Sequence, residues 1–192
     1  YDATVKPNQE RIGAGYGEAS PAYFHPVMRS WEAGYQSSTL AVSLAKKHKA
    51  RLHVLNISTA KELSLFTNKI PLKEKMITSE ACIHHLWFDE SDYEKLGTKI
   101  KWNPAVKTKD DKEEILKAVL DNRIDVIATD HAPHTLEEKN QTYFKAPSGG
   151  PLVQHSIVAM LELYHQKKIT LEKIVEKMSH AVADCFQITE RG

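Results

Sequence analysis

The chain has 192 residues, of which 41% are hydrophobic, and its 26 basic and 25 acidic residues leave a formal charge of +1. This length and composition predict one globular domain, residues 1–192, with enough apolar residues for a core. The balanced charge gives no basis for binding nucleic acid or a membrane surface, and no apolar run reaches the roughly 18 residues of a membrane span. A small-molecule partner is the remaining expectation.

The two cysteines, Cys82 and Cys185, lie far apart in the sequence and outside any metal-binding spacing. This pattern indicates neither a disulfide framework nor a thiolate zinc site. The N-terminal residues also lack the basic-then-apolar order of a signal peptide. Together these features predict a cytoplasmic protein with reduced thiols.

The predicted elements begin with residues 1–26, where prolines and glycines interrupt any apolar period, which indicates a loop or lid. Residues 27–48 carry apolar positions at helical spacing, and Lys46, Lys47 and His48 suit the negative end of a helix dipole. The predicted apolar stripe of this helix consists of Ala33, Leu40, Ala41, Leu44 and Ala45.

Strand and helix patterns alternate through the remainder of residues 27–192. The predicted strands are residues 51–57, 75–83, 99–102 and 125–129. The predicted helices begin after the hydroxyls of Ser58 and Thr59 and recur at residues 91–96, 108–122, 151–166 and 170–178. The helix 108–122 has a capping box from Thr108 to Asp111 and an apolar stripe of Ile115, Leu116, Val119 and Leu120.

These repeated units predict a parallel α/β sheet with right-handed crossovers. A complete (β/α)8 barrel takes about 250 residues, so the chain corresponds to about half a barrel or to a small open sheet.

The most informative stretch is the apolar run at residues 126–128, which is followed by Asp130, His131 and His134. An uninterrupted β-prone run suits a strand covered on both faces, and ligands bind at the carboxyl ends of such strands. Asp130 is therefore a candidate metal ligand and proton acceptor, and the histidines are candidate ligands or donors to an anionic substrate. A solvated strand end whose aspartate caps the next loop is the alternative.

The string IATDHAPH, residues 127–134, resembles the second signature of the dihydroorotases, in the cyclic amidohydrolase superfamily. The resemblance covers nearly the whole chain and implies an α/β fold, a partial TIM-like (β/α)8 barrel of about strands five to eight with their helices. It also implies zinc-dependent interconversion of N-carbamoyl-L-aspartate and dihydroorotate in pyrimidine biosynthesis. The zinc cofactor of such an enzyme is expected to comprise two ions.

By this resemblance Asp130 ligates the outer zinc ion and moves a proton between the attacking hydroxide and the leaving amide nitrogen. Asn103 corresponds to an asparagine that contacts the pyrimidine ring, and His134 to a residue that holds the substrate carboxylate. Pro147 and Gly149 lie in a stretch whose backbone groups bind the ring amide in the family. Without the resemblance, a turn-forming Asn-Pro pair and a plain Gly-Pro loop explain the same residues.

Asn56 departs from the family pattern, which has a histidine ligand of the more buried zinc ion at this position. An amide oxygen is a poor zinc ligand, so the departure puts that metal in doubt. His53 has the opposite strand parity and is predicted to pack among helices rather than substitute. The paired histidines His84 and His85 follow Glu80 in a stretch that resembles a family strand end, and we assign them a structural or supporting position.

Other family ligands have no counterpart in this sequence, including the His-x-His pair with its following arginine. We therefore expect a truncated segment that is inactive alone. The alternatives are a non-catalytic assembly protein and a related hydantoinase or allantoinase. Because a half barrel leaves two sheet edges open, we also expect self-association into a homo-oligomer.

Overall fold

A computed structural model describes residues 3–190, and its three strands form a parallel sheet in the order β1-β2-β3. The strands are β1 (Leu52–Val54), β2 (Ile77–Cys82) and β3 (Val126–Ala128). His53 pairs in register with Thr78, and Ala81 pairs with Ile127. Sequential parallel order is the arrangement that the alternating strand and helix patterns predict.

Helices and short turns connect the strands. The α-helices are α1 (Val5–Tyr16), α2 (His25–Met28), α3 (Trp31–His48), α4 (Ile83–Trp87), α5 (Asp92–Leu96), α6 (Lys109–Leu120), α7 (Leu136–Lys139), α8 (Val153–His165), α9 (Leu171–Val175) and α10 (Ala181–Phe186). Tighter 3-10 turns lie at Gly17–Ala19, Ala22–Phe24, Lys61–Leu65, Leu72–Glu74 and Gly97–Ile100, and a π-helical turn lies at Glu176–His180.

The main core lies between the sheet and the helices that cover it. Ile127 of β3 packs there with Ile115 and Val119 of α6 and with Met160 of α8. Val126 and Ile127 are both buried, as expected for a strand covered on both faces. The core therefore holds β3 in place and fixes where its carboxyl end emerges.

Helix α6 begins at the predicted capping box. The Thr108 hydroxyl accepts a hydrogen bond from the Asp111 amide, and the Asp111 carboxylate accepts one from the Thr108 amide. Of the predicted stripe, Ile115 and Val119 are buried, whereas Leu120 is exposed at the end of the helix.

The predicted loop or lid at residues 1–26 is wrong over residues 3–26, most of which are helical, and residues 1–2 lie outside the described part of the chain. Helix α1 spans Val5–Tyr16, and its Ile12 packs with Met28 and Tyr143 in a small separate core. Only Val5 and Ile12 of α1 are buried, and two apolar positions are too few to distinguish a helix from a loop by their spacing alone.

The predicted stripe of α3 is only partly correct. Ala33 and Ala45 are buried, but Leu40 is 61% exposed and Leu44 is 47% exposed. Val42 and Ser38 face inward instead, since Ser38 donates a hydrogen bond to the buried Glu62 carboxylate. The inward face is thus narrower and more polar than the sequence suggests.

The predicted strand at residues 99–102 is wrong. Gly97 adopts φ 56 and opens the 3-10 turn Gly97–Ile100, so the backbone does not extend along the sheet. The carbonyl of Lys101 accepts a hydrogen bond from the Gly149 amide at 2.9 Å, which ties this segment to a loop rather than to a strand.

The predicted helix at residues 170–178 gives way to a π-helical turn after Val175. Within residues 3–190, no helix is long and apolar enough to cross a membrane.

Candidate active site

Asp130 lies just beyond the carboxyl end of β3, where the backbone turns into the left-handed region at φ 47. Its side chain is half-buried. Burial and the negative charge of Glu80 raise its pKa, while a hydrogen bond from Asn56 opposes the shift. The arrangement therefore favours a carboxylate that accepts a proton more readily than a solvated aspartate.

Asn56 joins this cluster from the end of β1. Its backbone also adopts a left-handed conformation, φ 56, which asparagine tolerates better than most residues. The Cys82 thiol donates to Asn56 Oδ1 at 2.9 Å, which leaves the amide nitrogen to serve the Asp130 carboxylate. The Asn56 side chain thus bridges the ends of β2 and β3.

His53 packs against Phe186 of α10, as predicted, with ring centroids 5.2 Å apart, and it also contacts the cluster around Asp130. Its Nε2 lies 3.1 Å from Glu80 Oε2, and its Nδ1 lies 2.8 Å from Thr78 Oγ1. Strand β1 ends at Val54 and the backbone turns at Asn56, so the alternation that places positions i and i+3 on opposite faces no longer applies.

The described residues do not by themselves fit a zinc site. Within residues 3–190, no three His, Cys, Asp or Glu side chains are grouped to hold a metal ion. Burial and the charges of Glu80 and Asp130 raise the pKa of Cys82, which opposes the thiolate that zinc requires. Asn56 offers only an amide, whose oxygen already accepts from Cys82.

The paired histidines lie in α4 and are fully buried. The His84 ring stacks on Trp102 with centroids 4.5 Å apart, and neither His84 nitrogen has a hydrogen-bond partner within residues 3–190. His85 Nε2 lies 3.3 Å from the Pro104 carbonyl oxygen. Burial lowers the pKa of His84 well below its usual value and that of His85 to about 3, so both rings are neutral.

The loop after β3 brings three predicted residues together. Gly149 adopts φ +131, and a Cβ at this position would lie 2.6 Å from the Ala132 carbonyl oxygen and 3.3 Å from His134 Cδ2. The Ala132 amide donates to the Gly150 carbonyl at 3.2 Å. His134, Gly149 and the neighbouring Pro147 therefore belong to one loop surface that follows Asp130.

His131 is exposed and its Nδ1 accepts a hydrogen bond from the Val153 amide at 3.1 Å. This contact fixes the first turn of α8 beside the loop, which gives His131 a structural contact that the sequence does not indicate.

Asn103 is exposed and precedes Pro104 in a cis peptide bond. It lines a cavity of about 240 Å³ with Arg29 and Lys107. The structure therefore brings Asn56 to Asp130, and His134 to Gly149.

Sequence reasoning missed the half-buried Lys101 and the buried Lys139, which hold the loop that contains Pro147 and Gly149. A lysine in a polar loop normally indicates a solvated surface, so a single sequence carries no signal for this role.

Comparison with known proteins adds sequence relatives to this geometry. No family model matches the chain. It is 38% identical over 155 residues to a dihydroorotase of Methanosphaera stadtmanae, covering 79% of this chain and 34% of that protein. It is 30% identical over 183 residues to a dihydroorotase of Halobacterium salinarum, covering 95% and 42%.

Solved structures share the fold at lower identity. A dihydropyrimidinase from Brevibacillus agri superposes with a TM-score of 0.85 at 21% identity, covering 98% of this chain and 42% of that one. A dihydroorotase from Saccharomyces cerevisiae in complex with 5-fluoroorotic acid superposes with a TM-score of 0.74 at 14% identity, covering 83% and 44%.

Parallel strands with a carboxylate at the end of β3, together with these relatives, indicate the class: the chain is homologous to part of the dihydroorotases, and it shares its fold with the dihydropyrimidinase and dihydroorotase structures. Within that class, its curated relatives are dihydroorotases at 30% to 38% identity. The chain spans about a third of the length of the relative from Methanosphaera stadtmanae.

Proposed function

We propose that the chain forms one wall of a dihydroorotase site, which interconverts N-carbamoyl-L-aspartate and dihydroorotate in pyrimidine biosynthesis. The observation that carries the proposal is Asp130, a half-buried carboxylate at a parallel strand end with a raised pKa. The named relatives support the same reaction class.

In the hydrolytic direction, Asp130 accepts a proton from the attacking water while the water oxygen bonds to the ring carbonyl carbon. Asp130 then delivers that proton to the ring nitrogen as the carbon–nitrogen bond breaks, so the carboxylate is regenerated. Ring closure is the same sequence in reverse.

His134 and the backbone at Pro147 and Gly149 are proposed to hold the substrate. His134 and Gly149 lie close together in the loop that follows Asp130 in the chain. Asn103, which lines a cavity with Arg29 and Lys107, is proposed to contact the pyrimidine ring. Zinc dependence is part of the proposal, with ligands that residues 3–190 do not supply. We accordingly propose that the isolated chain has negligible activity and acts in the cytoplasm only within a complete site.

The architecture proposed for that complete site is a TIM-like barrel in which β1, β2 and β3 belong to strands five to eight. Both edges of the three-stranded sheet lack a further strand within residues 3–190. Open parallel edges pair readily with another chain, which supports homo-oligomerisation of the chain.

A non-catalytic assembly role is the second candidate, and one observation favours it. The Asn56 side chain already forms hydrogen bonds with both the Asp130 carboxylate and the Cys82 thiol, so these three side chains form a polar network that needs no metal. Related hydantoinase or allantoinase chemistry has the weaker support of a shared fold.

A chimera tests the proposal. The homologous segment of the Methanosphaera stadtmanae dihydroorotase is replaced by this chain, with Asn56 or with Asn56→His, and dihydroorotate hydrolysis is measured. We expect activity in the Asn56→His chimera, loss of that activity on adding Asp130→Asn, and retention on adding His165→Asn at an exposed position.

Activity that survives Asp130→Asn would refute the assigned proton transfer. A folded Asn56→His chimera without activity would favour the non-catalytic role. Turnover of hydantoin in preference to dihydroorotate would favour the hydantoinase alternative.

A further inference from the structure

The side chain of Lys139 is enclosed at the end of α7, and the residue is only 5% exposed. Its ammonium group donates to three main-chain carbonyls, those of Pro147 and Gly149 at 2.9 Å each and that of Lys101 at 3.2 Å. One side chain therefore joins the loop after β3 to the segment that precedes Asn103.

Lys101 completes the arrangement from the other side. Its ammonium group donates to the carbonyls of Tyr143 at 2.7 Å and Ala146 at 2.6 Å, and its own carbonyl accepts from the Gly149 amide at 2.9 Å. The two lysines thus gather carbonyls from residues 143–149.

No carboxylate lies within ion-pairing distance of either ammonium group among residues 3–190. Main-chain carbonyls and aromatic rings surround the two charges, since Lys101 Nζ lies 4.5 Å from the centroid of the Tyr143 ring and Lys139 Nζ lies 6.0 Å from that of the Trp102 ring. Burial together with the charge of Lys101 lowers the pKa of Lys139 to about 8. A buried ammonium costs free energy unless its hydrogen bonds are satisfied, so the loop geometry and the lysine depend on each other.

The same loop determines what lies beside His134. Gly149 leaves no room for a Cβ against Ala132 and His134, and Gly150 packs equally closely on the indole of Trp102.

We propose that Lys139 is a positioning residue, whose ammonium group holds the loop of residues 145–150 in the conformation that meets the substrate ring. The inference rests on the proposed function for its substrate. The tether between α7, the loop and Lys101 rests on the hydrogen-bond distances of Lys139 alone.

The test uses hydrogen exchange of the 192-residue chain. The reporters are the Gly149 amide, bonded to Lys101, and the Ala132 amide, bonded to Gly150. The Ile124 amide, which donates to Ala118 in the core, reports global opening. The variants are Lys139→Met, which keeps the length without the donors, and Lys139→Arg, which keeps the charge.

Lys145→Met is the matched control, because Lys145 lies in the same loop but is exposed and pairs with Glu18 at the surface. We expect Lys139→Met to lower protection of the two loop amides about tenfold or more relative to the core amide. Lys139→Arg should restore part of the loss, and Lys145→Met should leave the ratio unchanged.

Equal loss at all three amides, or no loss at the loop amides, would overturn the inference. In the Asn56→His chimera, Lys139→Met should raise KM by a larger factor than it lowers kcat. If the loop amides lose protection but KM is unchanged, Lys139 still tethers the loop but the loop does not contact the substrate. That result would contradict the proposed function and not the tether.

Discussion

The imidazole of His53 and the carboxylate of Glu80 form an ion pair, with Nε2 and Oε2 3.1 Å apart, between neighbouring parallel strands. Thr78 fixes the other ring nitrogen at 2.8 Å. Because the charge of Glu80 also acts on Asp130, this pair connects the interior of β1 to the candidate catalytic carboxylate.

The first prediction concerns stability as a function of pH. Burial disfavours the charged His53 ring, but hydrogen bonds with Cys185 and Glu80 outweigh it and raise the pKa to about 9 from 6.5. Because the folded pKa is the higher one, this stabilisation is complete below pH 6.5 and is lost as the pH rises through 9. It amounts to about 3 kcal/mol at most.

Urea unfolding of wild type and His53→Gln across this pH range checks the prediction. The difference in unfolding free energy should shrink toward alkaline pH. His48→Gln, at an exposed position, should show no such trend, and a constant difference for His53→Gln would contradict a charged pair.

The second prediction concerns metal binding at Asn56. Asn56→His places an imidazole between the Cys82 thiol and the Asp130 carboxylate, and histidine is among the residues that tolerate the left-handed backbone found there. We expect zinc affinity, measured by competition with a chromogenic chelator, to rise about tenfold or more. The same substitution at the exposed Asn140 is the control, and equal gains in both variants would argue against a local site.

The third prediction concerns the loop glycine. Gly149→Ala forces a Cβ to within 2.6 Å of the Ala132 carbonyl oxygen at φ +131, so the loop must move or strain. We expect a loss of about 1–3 kcal/mol in chemical denaturation. Gly15→Ala, within α1 and with no neighbouring atom near the added methyl, should instead be neutral or stabilising. Equal stability of both variants would show that the loop accommodates a side chain.

The fourth prediction concerns the buried pair at the start of β3. Lys75 Nζ lies 2.6 Å from Asp125 Oδ1, and both side chains are almost fully enclosed. Burial raises the pKa of Asp125 while Lys75 opposes the shift, so Lys75→Met should raise the pKa of Asp125 further and destabilise the folded chain. We expect a loss of about 3–5 kcal/mol.

A double-mutant cycle with Asp125→Leu separates the pair from its surroundings. The double variant should lose less stability than the two single variants together. Additive losses would show that the two groups do not interact.

The fold was predicted best where a local pattern has one physical solution. The apolar run of β3 requires cover on both faces, and Thr108 with Asp111 satisfies the first amides of α6, so both elements lie where the sequence predicts them. Helix α1 was missed because its burial depends on Met28 and Tyr143, which lie far along the chain.

The candidate site was likewise predicted only in part from the sequence. The sequence by itself determined that Asp130 follows a buried strand and that Asn56 offers an amide where the family has an imidazole. Only the tertiary structure decided that Asn56 bonds to Asp130 and Cys82, that His53 faces Glu80, and that Lys139 holds Gly149. Strand ends are set by local periodicity, whereas these contacts depend on left-handed turns and on loops that meet only after the chain has packed.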